Sequence, residues 1–115
     1  MKTGFGWIEY DGVRYDHDIV IHIDRSITKR KKKLSKKRKE EFRHTPLSGE
    51  ELADLLRERP EVVYIGTGQY GVLPLTPDAL TLLAPFVMVM KPTPDILCLL
   101  EVEQRKVVAV LHVTC

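Results

Sequence analysis

This 115-residue chain has two cysteines, no apolar run long enough to cross a bilayer, and no aromatic residue inside its most highly charged segment. Each scarcity excludes a class. Cys98 sits in an apolar run and Cys115 is the last residue given, so no disulfide framework is expected. Spanning a membrane as a helix takes roughly 18 consecutive apolar residues. The opening MKTGFGWIEYDG lacks the apolar centre of a secretory signal. The expected compartment is therefore the cytoplasm, with no membrane partner. Residues 1–115 are expected to form a single domain, long enough for a hydrophobic core without a disulfide or structural metal.

Charge is present but unevenly placed. Nine of the eleven residues from Lys29 to Lys39 are Lys or Arg, half of the 18 in the chain, which leaves 9 basic against 16 acidic residues elsewhere. A mildly acidic domain thus carries one intensely basic segment. Such a run neutralises phosphates and binds polyanions with a steep salt dependence. Lys31, Lys32, Lys33, Lys36, Lys37 and Arg38 are the candidate contacts. The missing aromatics leave no platform for stacking a base.

Patterning predicts the elements. Phe5–Tyr10 and Val13–Tyr15 read as strands joined by Asp11-Gly12 in a type I′ turn, forming an N-terminal hairpin. Ile19–Ile23 alternates isoleucine with other residues, which turns Ile19, Ile21 and Ile23 toward the core. Residues 24–45 show no sustained apolar period and are expected to be a long exposed connection with room for one or two short extended or helical pieces. Ser48-Gly-Glu-Glu51 is a capping box that opens a helix stopped at Pro60. Val62–Ile65, Phe86–Met90 and Val107–Val113 read as strands. Thr76-Pro77 and Thr93-Pro94 read as caps followed by a first-turn proline, with helices to about Ala84 and Gln104. The order α-β-α-β-α-β predicts an α/β fold, a three-layer β+α/β/α with a central mixed and mostly parallel sheet.

Val62–Leu75 contains Gly66-x-Gly68-x-x-Gly71, the letter pattern of a dinucleotide loop. That loop requires a helix directly after the glycines and an acid at the end of the next strand. Here no helix can begin before Thr76, and the following strand ends at Lys91. No cofactor is expected. Glycines placed there permit positive φ and close backbone passage, and their N–H groups can form an anion nest. Gly66, Thr67, Gly68 and Gln69 are the candidate anion-binding residues.

Two smaller constellations stand out. His17, His22, His44 and His112, with Asp16, Asp18, Asp24 and Cys115, supply ligand types without any ligand spacing, so no metal is expected. His112-x-x-Cys115 pairs an imidazole with a thiol it could activate. Strand geometry, however, puts residues three apart on opposite sides unless the chain turns after Val113.

Asp18-Ile-Val-Ile-His-Ile-Asp24, then Ser26-Ile-Thr28 and a basic stretch, Tyr64-Ile-Gly-Thr-Gly68, and the closing His112-Val-Thr-Cys115 together resemble one family. It comprises small archaeal "hypothetical" proteins, the animal adipogenesis-associated domain protein and, more distantly, a mitochondrial complex I assembly factor. The resemblance implies the three-layer fold and contacts with a protein partner; it supplies no reaction and no catalytic residues. The expectation is a non-enzymatic binding or assembly accessory domain with an unidentified protein partner and a small anion site at Gly66–Gly71. The alternatives are an RNA- or polyanion-binding protein acting through residues 29–39, and an enzyme using the glycine loop with His112 and Cys115. Self-association is left open.

Overall fold

The computed structural model describes residues 1–35 and 45–115. Eight strands and three helices are found among them: β1 (Lys2–Gly4), β2 (Trp7–Tyr10), β3 (Val13–Tyr15), β4 (Ile19–Ile21), β5 (Ile27–Lys29), α1 (Gly49–Leu56), β6 (Val62–Thr67), α2 (Pro77–Leu83), β7 (Val87–Lys91), α3 (Thr93–Glu101) and β8 (Val107–His112). A single 3-10 turn covers Lys32–Leu34. None of these helices is long and apolar enough to cross a membrane.

The hairpin is formed with Asp11 and Gly12 both at positive φ, 50° and 78°, as a type I′ turn requires. It is extended by a third strand, because the chain turns at Phe5-Gly6 and β1 pairs with β2; the product is a three-stranded antiparallel sheet. The second sheet has five strands in the order β5-β4-β8-β6-β7. It is mixed, but not mostly parallel as expected. β6 runs parallel to β7 and β8, whereas β4 is antiparallel to both β8 and β5. The helix-strand alternation that predicts parallel pairing begins only at Ser48, and β4 and β5 precede it.

β6 and β8 lie at the centre and are buried at every residue. Both sheet faces are covered, and this is why their sequences are continuously apolar rather than alternating. Ile19, Ile21, Val62, Tyr64, Val107, Ala109 and Leu111 pack with Ile8, Ile96 and Leu100 from the small sheet and α3. Val63, Ile65, Val108 and Val110 pack on the opposite face with Leu52 and Leu55 of α1 and Ala79 and Leu83 of α2. β4 ends at Ile21, so Ile23 leaves the expected isoleucine face and packs beside the second cluster.

Two of the three caps do other work than the sequence suggests. Thr76 behaves as expected, accepting from the Ala79 N–H at 3.3 Å with Pro77 behind it. Ser48 accepts from the Glu51 N–H, but the Glu51 carboxylate does not return to the Ser48 N–H, which donates instead to Ser35 Oγ at 3.3 Å. Thr93 is not a cap. Pro92 occupies that position, and the Thr93 hydroxyl donates to the His112 carbonyl at 2.6 Å while accepting from the Gly68 N–H at 3.0 Å. α3 also stops at Glu101, short of Gln104.

The stretch expected as an exposed connection carries short extended and helical pieces, but it is not exposed throughout. β5 lies within it, and both Arg30 and Ser35 are buried. Residues 36–44 lie outside the described residues.

Candidate functional site: a buried charge row beneath a basic cleft

Sheet register assembles the site. Ile19 stands opposite Leu111 on one side and Lys29 on the other. One step further toward the strand ends, Asp18 falls between His112 and Arg30. On the far side of β8, His112 stands beside Thr67 of β6. The row Thr67, His112, Asp18, Arg30 thus crosses four strands.

Asp18 is the hub and is 2% exposed. Its Oδ2 accepts from His112 Nδ1 at 2.7 Å and from Arg30 Nη1 at 3.0 Å, with Lys32 Nζ at 3.5 Å. Its Oδ1 accepts from the Val113 N–H at 2.8 Å. Burial pushes the carboxyl up. The His112 hydrogen bond, the nearby positive charges and the Val113 N–H outweigh it, and the group stays well below the usual carboxylate range. Arg30 is 3% exposed and fully engaged. Beyond Asp18 it donates through Nε to both oxygens of Glu51, at 2.8 and 3.0 Å, and through Nη2 to the Pro46 carbonyl at 2.8 Å. Glu51 has therefore left the capping box to pair with a buried cation. Burial raises its pKa, and Arg30 offsets only part of that rise.

The sign of the acid response follows. Asp18 titrates lower in the folded chain than in the unfolded one, so its stabilisation is complete above the unfolded value of about 3.9 and is lost as pH falls below it. Glu51, raised, works in the opposite sense. Urea unfolding of Asp18→Asn against pH should show lower stability at neutral pH and a shallower acid loss below about pH 4 than wild type. An acid limb of unchanged slope would assign the loss to other carboxylates.

Above this row lies a cleft of about 660 Å³, lined by Gly6, Asp16, His17, Asp18, Val113, Thr114 and the run from Lys29 to Lys33. Lys29, Lys31 and Lys33 are exposed, and no described carboxylate lies within ion-pair distance of them. Arg30 points inward and the lysines line the opening. The basic run is therefore both a structural anchor and a charged rim.

The sequence candidates sort accordingly. Lys31, Lys32 and Lys33 reach the cleft; Lys36, Lys37 and Arg38 lie outside the described residues. Gly66 and Thr67 are inside β6. The N–H groups after them are taken within the chain: Gly68 donates to Thr93 Oγ1, Gln69 to the Thr114 carbonyl at 2.7 Å, and Tyr70 and Val72 to the Cys115 oxygen. The loop clasps residues 112–115 rather than opening toward a ligand. Gly68 has φ +101°, and a Cβ there would collide with the Cys115 carbonyl carbon.

His112 and the glycine loop do converge, but the thiol is not the partner of the imidazole. Both ring nitrogens are occupied, Nδ1 by Asp18 and Nε2 by the Thr114 hydroxyl at 3.1 Å. The sequence offers Asp18 only as a possible ligand type and Glu51 only as a capping residue, and it does not single out Arg30 or Thr114. The two-residue strand period that separates Cys115 from His112 also places Thr114 on the His112 side. His22 is likewise engaged, by Glu58 and Thr28. Among the described residues, no group of three His, Cys, Asp or Glu side chains is placed to hold a metal ion. His44 is outside that set.

The fold and this cleft define a small mixed α/β domain with a basic surface over a buried ionic row. Over its full length the chain is 36% identical to a conserved hypothetical protein, PH1505, from Pyrococcus horikoshii, with a TM-score of 0.88 and 98% of that chain covered. It is 31% identical to a protein designated MT938, covering 100% of this chain and 96% of that one, with a TM-score of 0.79. The chain belongs to the family of these conserved hypothetical proteins. A Bordetella parapertussis protein, 23% identical over 97% of this chain and 92% of its own, shares the fold with a TM-score of 0.64. No protein-family model and no curated protein matches.

Proposed function

We propose that this protein is a binding domain whose working surface is the basic cleft, and that its partner presents an anionic group there. The observation that carries the reading is the split within the basic run. Arg30 is neutralised below by Asp18 and Glu51, while Lys29, Lys31 and Lys33 keep their charge at the opening. Anchoring Arg30 holds its neighbours in place, so less ordering entropy is lost on binding. A protein is the favoured bearer of the anionic group. The family resemblance to an assembly factor supports it, and the cleft lining contains no Phe, Tyr or Trp on which a base could stack.

The test is calorimetric titration with inorganic pyrophosphate at low salt. Three exposed cations worth roughly 0.5–1 kcal/mol each make the Lys29→Gln/Lys31→Gln/Lys33→Gln variant about 10- to 100-fold weaker than wild type. Wild-type affinity should fall steeply with salt. Equal affinities would remove the cleft from the account. Binding that requires a nucleic-acid chain would favour the polyanion reading over a protein partner.

A further inference from the structure

The cleft contains more than charge. Thr114 lines it, half-buried, and its hydroxyl lies 3.1 Å from His112 Nε2. His112 Nδ1 lies 2.7 Å from Asp18 Oδ2. Asp18 is ionised, so it only accepts, and Nδ1–H donates to it, which selects the imidazole tautomer whose lone pair is on Nε2. Nε2 is then an acceptor aimed at Thr114. Asp18 is held rigidly by Arg30 and by the Val113 N–H, which fixes the tautomer and the ring orientation. A hydroxyl, an imidazole and a buried carboxylate in this order, within hydrogen-bond reach, form the arrangement that activates a nucleophile. Lys32, with Nζ 3.5 Å from Asp18 Oδ2, lines the same cleft and supplies a cation for a developing oxyanion.

We propose that Thr114 is a nucleophile toward esters that carry a carboxylate or phosphate, activated by His112 and Asp18 and supplied with substrate by the lysine rim. The inference rests on the anion-binding reading of the same cleft. Thr114 Oγ attacks the acyl carbon, the Oγ–C bond forms and the ester C–O bond breaks. The hydroxyl proton moves to His112 Nε2 and on to the departing oxygen, which leaves as an alcohol. Water then attacks the acyl-threonine through the same nitrogen, releasing the acid and restoring the hydroxyl.

A second arrangement in the chain provides an internal control. His22 lies 2.7 Å from Glu58 Oε2 through Nδ1 and 2.7 Å from Thr28 Oγ1 through Nε2, but Thr28, unlike Thr114, is not among the residues that line the 660 Å³ cleft. If hydrogen-bond geometry alone conferred reactivity, Thr28 would react too.

The probes are the mono-4-nitrophenyl ester of succinate, which carries a carboxylate, and 4-nitrophenyl acetate, which does not. Nitrophenolate release is followed by absorbance, and the acylated residue is located by peptide mass spectrometry. The expected result is acylation at Thr114 with the succinate ester preferred about 10-fold or more. Thr114→Val, close in shape, should lower turnover about 100-fold, Thr114→Ser should restore part of it with the acyl group on the new hydroxyl at position 114, and Thr28→Val should match wild type. Acyl groups found only on lysines, turnover unchanged in Thr114→Val, or no preference for the anionic ester would overturn the proposal. Pyrophosphate titration of the same samples separates the two readings. Anion binding without acylation of Thr114 overturns the nucleophile alone, and loss of both overturns the cleft as well.

Discussion

Replacing Arg30 with alanine is expected to cost about 3–5 kcal/mol of folding stability, the range for removing one partner from a buried ionic network. The guanidinium makes four hydrogen bonds, to Asp18, to both oxygens of Glu51 and to the Pro46 carbonyl. Its loss leaves two buried carboxylates sharing a site, with Lys32 as the nearest described cation to Asp18. It also removes the tie between β5, β4, α1 and the chain just ahead of α1. Lysine at this position should recover only part of the loss, because a single ammonium cannot reproduce the planar fork. Urea unfolding checks both variants, and Arg30→Ala should lower the melting temperature by roughly 10–20 °C. A cost below about 1 kcal/mol would mean that the carboxylates find solvent or other partners, and the rigid anchor of the lysine rim would be lost with it.

Gly68→Val should be comparably damaging, for a different reason. The position needs φ +101°, which a β-branched residue adopts only with strain, and its Cβ would collide with the Cys115 carbonyl carbon and meet the His112 ring at 2.8 Å. Strain of about 1–3 kcal/mol and overpacking of a similar size add to roughly 2–5 kcal/mol. The C-terminal segment must yield, since the Gln69, Tyr70 and Val72 N–H groups hold it by its carbonyls. Hydrogen exchange should therefore show lost protection first at residues 68–73 and 112–115. Gly68→Ala, smaller but equally strained, should fall between wild type and Gly68→Val. Wild-type stability in Gly68→Val would show that the clasp is not a tight contact.

How much of this was legible in the sequence depends on whether a residue's role was local. The Asp11-Gly12 turn and the Thr76-Pro77 cap depend on a few neighbouring residues, and both follow their pattern. Glu51 and Thr93 carry equally clear local signals, yet both are diverted. Glu51 serves Arg30, 21 residues away, and Thr93 serves Gly68 and His112. A capping contact is worth about 1 kcal/mol, less than the cost of leaving a buried guanidinium unpaired, so the long-range partner wins. The same limit hid the charge row. Asp18, Arg30 and His112 meet only because β4 lies between β5 and β8, and strand order is not written in any short motif. Arg30 was further obscured by its neighbours, since nothing in a run of nine cations marks one as buried. Positive φ holds at Gly68 and Gly71 but not at Gly66, which lies within β6 against Thr93 and Leu111; close passage to residues 112–115 occurs at Gly68.

The central claim is that anions are received at the lysine-rimmed cleft rather than at the glycine loop. Backbone amide chemical-shift mapping during a titration with inorganic pyrophosphate tests it most directly. The account predicts saturable shifts at Lys29, Lys31, Lys32, Lys33 and Thr114, with Gly66–Gly71 moving little because those N–H groups beyond β6 already have partners. Shifts concentrated at Gly68–Gly71, or none that saturate, would contradict it.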